Sequence, residues 1–383
     1  MKAIVNGKIF TMAGENYENG DILIENGIIK EIGRKLDIPD NAEIYDAKNK
    51  IVFPGFIDGH THLGIGEEDI GWAGQDYNEK TDPITSNISA LDAINPLDTG
   101  FKDAYKNGIT TAMVAPGSSN VIGGKSVILK THGKIVDEMV VKKSAGIKAA
   151  LGENPKGAYG DNNETPKTRM AIAGLLRQAL NDTKNYMIKK EEKTNKNEYM
   201  EIDLNMEPLI DVLTNEIPLR IHAHRADDII TAIRIAKEFD IDIIIEHCTE
   251  GHLVAEEIAE ANVPVMVGPS FGGRSKVELK NKTFKTAGIL AKAGVKIAII
   301  SDHSVTPTQF LPLYAALSIK AGMNREEALK AITINPAEIM GIDDKVGSIE
   351  KGKDADLIIF NGDPLEIMTE VETVFINGEK IVN

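Results

Sequence analysis

The chain has 383 residues, with 43 Lys and Arg against 58 Asp and Glu, for a formal net charge of −15. That balance argues against a basic stripe for nucleic acid and a polybasic membrane patch. The length allows one large core plus a smaller satellite, and a single cysteine, Cys248, rules out an intrachain disulfide and fits a reducing compartment.

The N-terminal Met1-Lys2-Ala3-Ile4-Val5 lacks the apolar core of a signal peptide, and no run reaches the ~20 apolar residues of a membrane span. A soluble cytoplasmic protein is expected, acting on a small molecule, with no nucleic acid and no membrane as partner. The first fifty residues read as short strands at Ala3–Val5, Lys8–Thr11, Asp21–Glu25 and Ile28–Ile32. Asn6-Gly7 and Asn26-Gly27 are hairpin signals, because both turn residues tolerate positive φ. The tail repeats this style, with strands at Ala355–Phe360 and Val371–Ile376 and turns at Asn361-Gly362 and Asn377-Gly378. Two β segments at opposite ends of a chain predict one small domain built from both termini.

The middle differs. Ile51–Asp58, Thr110–Ala115, Val127–Lys130, Ala145–Leu151, Leu219–Ala223, Ile241–Glu246, Val263–Val267 and Lys296–Ser301 are compact apolar runs, eight in all. Continuous rather than alternating hydrophobicity suits parallel strands buried on both faces. Helix-period segments at Asp227–Phe239, Leu253–Ala261, Thr283–Ala293, Pro307–Ala321 and Arg325–Thr333 lie between or after them, and Thr168–Lys193 reads as a long helix ending in a solvated, charged turn. The predicted fold is α/β, a (β/α)8 TIM-like barrel. The expected divisions are 1–53 and 341–383 for a small β-sandwich domain formed by the termini, and 54–340 for the barrel. An open doubly wound sheet is the alternative, but no Gly-x-Gly-x-x-Gly turn follows the first strand.

The chemistry gathers at strand ends. Residues two apart in an extended chain project to the same side, so His60 and His62 face one point at the end of the first run. Ile221-His222-Ala223-His224 repeats that geometry at the fifth run, Glu246-His247 ends the sixth, and Ser301-Asp302-His303 ends the eighth. Barrel enzymes carry their catalytic groups at that rim. A lone strand-end histidine is more often packed than ligating, and Asp302 alone reads equally as a helix cap. Four strands burying imidazole or carboxylate at one rim are costly unless the groups are paired or metal-bound. Several imidazoles with one carboxylate suit zinc, iron, manganese or nickel better than magnesium or calcium. A divalent ion there lowers the pKa of a bound water towards ~7 and polarises a carbonyl. Asp302 is then placed to take the water's proton and pass it to a leaving group. The reaction class is hydrolysis of an amide or related C–N bond.

These residues resemble the amidohydrolase superfamily, near its imidazolonepropionase-related, metal-dependent members. The resemblance is carried by Pro54-Gly55-Phe56-Ile57-Asp58-Gly59-His60-Thr61-His62, Gly108-Ile109-Thr110-Thr111, Ile245-Glu246-His247, Ser301-Asp302 and the tail Val346 to Leu357, and it spans nearly the whole chain. It implies a β-sandwich formed by both termini and two divalent ions, zinc first, with His60 and His62 on the more buried one and His222 and His247 on the other. It implies Asp302 as ligand of the first ion and proton shuttle, and a homodimer. In two-metal members a fourth-strand carboxylate, Glu or carboxylated Lys, bridges the ions. Here Glu153 is preferred and Lys148 is the alternative. Deaminases and true imidazolonepropionases carry Glu three residues after the fifth-strand histidine, where this chain has Arg225, which argues against both. Arg225 reads as a substrate-anion contact or as an ion pair with Asp227 or Asp228. Arg274 is a second candidate anion contact. His224 reads as an outer or substrate contact, and His303 as a substrate contact or helix cap. A one-metal hydrolase and a catalytically silent scaffold on the same fold remain the alternatives, and the ligand set His60, His62, His222, His247 and Asp302 counts against the scaffold.

Overall fold

The fold is that of a computed structural model, which describes residues 1–382. Five strands come first: β1 Lys2–Ile9, β2 Tyr17–Glu25, β3 Ile28–Gly33, β4 Glu43–Asp46 and β5 Ile51–Pro54. Eight more form the middle: β6 Phe56–Thr61, β7 Ile109–Val114, β8 Ile122–Lys130, β9 Val140–Ala150, β10 Leu219–Ala223, β11 Ile243–His247, β12 Val265–Val267 and β13 Ile297–Ile299. The tail adds β14 Leu357–Phe360, β15 Val371–Ile376 and β16 Glu379–Val382.

The middle strands pair in unbroken chain order, β6 through β13, and each predicted run falls on one of them. The sheet nearly closes on itself. Thr61 bridges His303 in parallel, the His62 N–H donates to the His303 carbonyl at 2.6 Å, and the Asp302 N–H donates to the His60 carbonyl at 3.2 Å. The closing seam therefore joins two segments that carry candidate ligands. One expectation fails: the strands are not all parallel. β8 runs antiparallel to both β7 and β9. A parallel return needs a crossover of a dozen or more residues, and the seven residues between β7 and β8, 115–121, are too few.

The run predicted at Ile51–Asp58 is two strands. The chain leaves the terminal sheet at Pro54 and enters the barrel at Phe56. Gly55 makes that passage possible, since a Cβ there would lie 2.0 Å from Thr110 Oγ1.

Strands from both termini form one continuous hydrogen-bonded sheet of eight, in the order β16-β15-β14-β5-β1-β2-β3, with β4 beside β1. Among the described residues both termini thus share one sheet, without the two packed sheets of the expected β-sandwich, and Ile4, Ile22, Val52, Leu357 and Phe375 lie in its apolar cluster. Asn26-Gly27 and Asn377-Gly378 are tight turns with both residues at positive φ, as predicted. Asn6-Gly7 is not a hairpin. Asn6 adopts φ 62° within β1, where the pairing with β2 shifts register, and Lys8 and Ile9 pair in parallel with β5. The same Asn-Gly chemistry that makes a turn makes a bulge when both flanks find partners.

Helices cover the outer face of the barrel. Ala226–Phe239 buries Ile229, Ala232, Ile233 and Ala236 at helical spacing. The long helix Arg169–Asn195 is capped by Thr168, whose Oγ1 accepts from the Ala171 N–H at 3.1 Å. It buries Ile172, Leu176 and Leu180 in its first half only, as its charged second half predicts. Inside the barrel, Ile57, Met113, Ile128, Ile244, Met266 and Ala298 form an apolar floor. Among the described residues no helix is long and apolar enough to cross a membrane.

Candidate metal centre

Two steps along the strand from the apolar floor, charge replaces hydrocarbon. Lys148 on β9, Arg220 on β10 and Glu246 on β11 are each 1 % exposed or less. Glu246 accepts from Arg220 Nε at 2.8 Å and ion-pairs with Lys148 Nζ through its other oxygen. The same carboxylate lies 3.0 Å from His60 Nδ1. Burial pushes Glu246 up, but His60, Lys148 and Arg220 together hold it well below the usual carboxylate range. A carboxylate behind an imidazole fixes the ring's tautomer and leaves its other nitrogen for a ligand.

The strand ends bring the predicted histidines together. The nearest His60, His247 and Asp302 donor atoms lie within 4.8 Å of one another, and so do those of His222, His224 and His247. Asp302 Oδ1 is 3.3 Å from both His60 Nε2 and His62 Nε2, and its other oxygen is 3.9 Å from His247. Backbone carbonyls orient two of the rings: His62 Nδ1 donates to Ala115 at 2.7 Å and His247 Nδ1 donates to Gly268 at 2.8 Å. His224 Nδ1 lies 2.7 Å from Thr249 Oγ1. Each of these contacts leaves Nε2 free.

The local backbone is unusual. His247 and Asp302 sit at φ 71° and 58°, a region that non-glycine residues rarely occupy. Such conformations persist where the surroundings over-determine them, often at functional sites. The turn bearing Asp302 is held by Asp58, a buried carboxylate that accepts from Ser301 Oγ and from Thr308 Oγ1 at 2.5 and 2.8 Å.

The residues suit a cation. Buried polar atoms are normally hydrogen-bonded, yet His60 Nε2, His222 Nδ1 and Glu278 Oε1 are buried without a hydrogen bond. Burial, then the neighbouring imidazoles, hold His222 and His247 well below the usual histidine range, and His224 is pushed down to about 3. Neutral rings are what ligation requires. Burial would raise Asp302, but the surrounding His247, His60 and His62 rings outweigh it and hold the carboxyl well below its ordinary value.

Other predicted residues lie elsewhere or are otherwise engaged. The preferred fourth-strand carboxylate, Glu153, starts the helix Glu153–Gly160, and its Oε2 accepts from the Glu278 N–H at 3.3 Å. Lys148 is the fourth-strand residue whose charge is felt by His222 and His247. Arg225 forms a two-bond pair with Asp227 at 2.9 and 2.8 Å on the surface. Arg274 donates to the Lys282 carbonyl. His303 is buried, its Nε2 3.1 Å from Glu68 and its Nδ1 accepting from the Thr308 N–H at 3.3 Å. Cys248 is buried, which pushes its thiol up and suits packing rather than attack. A cavity of about 430 Å³, lined by Pro218, Asp242, Ile243 and Pro264 at the other end of the strands, contains no histidine.

Sequence reasoning missed Glu246, Arg220 and Glu278. Glu246 and Arg220 had a signal, a single charge inside an apolar run that also carries a strand-end histidine. Glu278 lies in a single 3-10 turn, Val277–Leu279, in the connection after β12, and its fully buried carboxylate has no counterpart in periodicity.

Known proteins resemble this chain over most of its length. Amidohydrolase tasK of Hapsidospora irregularis is 26% identical over 395 aligned residues, 94% of this chain, which spans only 39% of that protein's length. Imidazolonepropionase of Picrophilus torridus is 27% identical over 98% of this chain and 97% of its own. The crystal structure of an amidohydrolase from Thermotoga maritima superposes with a TM-score of 0.97 at 43% identity, covering 100% of this chain and 99% of that one. With the amidohydrolase family model matching residues 51–381, this chain belongs to the amidohydrolase family.

Proposed function

We propose that the chain is a metal-dependent hydrolase cleaving a C–N bond in an amide, cyclic amide or peptide-like small molecule. The observation that carries this reading is the convergence of His60, His62, His222, His247 and Asp302, from four separate strands, with buried ring nitrogens left without hydrogen bonds. His60, His62 and Asp302 would hold one divalent ion, and His222 and His247 a second, with zinc first among iron, manganese and nickel. When bound, such an ion supplies a water of lowered pKa and a polarised carbonyl. Asp302 places one oxygen 3.3 Å from two imidazole nitrogens, and its carboxyl is held well below its ordinary value. It takes the proton of the attacking water and returns it to the departing nitrogen, which leaves as a neutral amine. Glu246 holds the His60 ring, and the backbone carbonyls of Ala115 and Gly268 hold His62 and His247.

A one-ion hydrolase is the second reading, favoured by His247 standing in both groups of convergent donors. Of the two fourth-strand candidates for bridging two ions, Glu153 is engaged with the Glu278 N–H, and Lys148, whose Nζ pairs with Glu246, would bridge only once carboxylated. The test is a hydrolysis screen of N-acyl amino acids, dipeptides and cyclic amides with Zn, Mn or Fe supplied. Turnover of one class, abolished by a chelator and restored by metal, supports the proposal. Metal-loaded protein inert across all three classes would count against it.

A further inference from the structure

Glu278 has an unusual position. It is fully buried in the loop after β12, yet its Oε1 makes no hydrogen bond. An isolated buried carboxylate is expensive unless paired or metal-bound. That oxygen points at two imidazoles, 3.7 Å from His224 Nε2 and 4.0 Å from His222 Nε2, with Lys276 Nζ also at 4.0 Å. These separations are too long for hydrogen bonds. They fall between the ~3.4 Å of two tetrahedral ligands and the ~4.2 Å of two opposite octahedral ligands bound ~2.1 Å from a common cation.

The rest of the carboxylate is anchored. Oε2 accepts from the Glu153 N–H at 2.9 Å, and Glu153 Oε2 accepts from the Glu278 N–H at 3.3 Å. This reciprocal clasp ties the seventh-strand loop to the fourth. Gly152, at φ +88°, lets the chain pass so close that a Cβ there would lie 2.9 Å from Glu278 Oε2. Asn154 completes the wall: its side-chain amide lies 3.4 Å from His222 Nε2, and its Oδ1 accepts from Lys276 Nζ. Thr249 orients His224, so Nε2 faces the gap.

We propose that Glu278 and His224 complete the ligand set of the ion held by His222 and His247, making that half of the site a pocket of three imidazoles and one carboxylate. The inference rests on the proposed metal-dependent function and goes beyond it by naming two further ligands. Glu153 then acts as a positioning residue through its clasp on Glu278.

The test is metal content and affinity of full-length Glu278→Gln and His224→Asn, stripped with chelator and reloaded with Zn(II) or Co(II). Each variant is expected to hold about one ion fewer than wild type, or to bind that ion more weakly than the ~10–100-fold that loss of an outer contact costs. The Co(II) absorption band should change as well. Melting of the metal-free proteins separates the alternatives. Gln keeps an oxygen for the Glu153 N–H and removes only a buried charge, so metal-free Glu278→Gln should be about as stable as wild type, whereas a purely structural Glu278 would lower its melting temperature and leave metal content intact. Wild type and Glu278→Gln binding the same number of ions with affinities within about threefold would overturn this assignment alone. A wild-type chain that takes up no ion would overturn the proposed function and this inference together.

Discussion

Lys130→Met tests the joint between the barrel and the shared terminal sheet. Lys130 ends β8 and places Nζ 2.8 Å from both Asp354 and Asp356 in the tail. Lys130 and Asp356 are almost fully buried, while Asp354 is about a fifth exposed at 21%. Breaking a buried pair by removing one partner costs ~3–5 kcal/mol, because the other charge is left uncompensated. Asp356 keeps one donor, the Asn377 N–H at 2.8 Å, and Asp354 can reach water. The low end, about 3 kcal/mol, is therefore expected. Adding Asp356→Asn to Lys130→Met should recover most of the loss, since removing both charges is nearly neutral. Urea unfolding measures this, with an unchanged slope required for the comparison. Burial opposes the lysine's charge, but the two carboxylates outweigh it and raise its pKa. The pair's contribution is thus complete below the unfolded lysine value of ~10.4 and is lost as pH rises through the higher folded value. Lys130→Met within about 1 kcal/mol of wild type near pH 7 would refute the reasoning.

Asp302→Asn keeps the shape of the side chain but cannot accept the proton, so kcat should fall by ~10²–10⁴; steady-state kinetics showing a fall under tenfold would remove it from that role. Glu246→Gln leaves Lys148 and Arg220 buried with a weaker partner and frees the His60 ring. Metal affinity should drop ~10–100-fold with a clear loss of melting temperature, and titration with a chelating indicator would reveal an unchanged affinity if the carboxylate has no such role. Arg225→Ala should change KM less than threefold, because its guanidinium is occupied by Asp227 on the surface; a tenfold rise would restore it as a substrate-anion contact.

Much of this architecture was legible. Eight apolar runs predicted eight barrel strands, and the spacing of His60 with His62 and of His222 with His224 predicted side chains facing one rim. Asn26-Gly27 and Asn377-Gly378 announced their hairpins because nothing competes with a turn that wants positive φ. Asn6-Gly7 carried the same signal and became a bulge, because strands β2 and β5 claim the residues on both sides. Apolar content also says nothing of strand direction, and the apolar run at Val127–Lys130 hides how short the connection is, since β8 begins at Ile122 and runs antiparallel. At the site, Glu153 looked suitable by height along the fourth strand, but the chain turns at Gly152 and starts a helix, carrying the carboxylate to the Glu278 amide. Arg225 was equally readable as an anion contact or a surface pair, and only the position of Asp227 favours the latter. Glu278 depends on loop geometry alone, which no periodicity encodes.

The central claim is that imidazoles and an aspartate from separate strands share bound cations. Elemental analysis of metal-loaded wild type against the His60→Ala, His62→Ala double variant addresses it most directly. The account predicts about one or two transition-metal ions per wild-type chain and the loss of at least one in the variant. A folded wild type that binds none, or a double variant that matches wild type ion for ion, would contradict it.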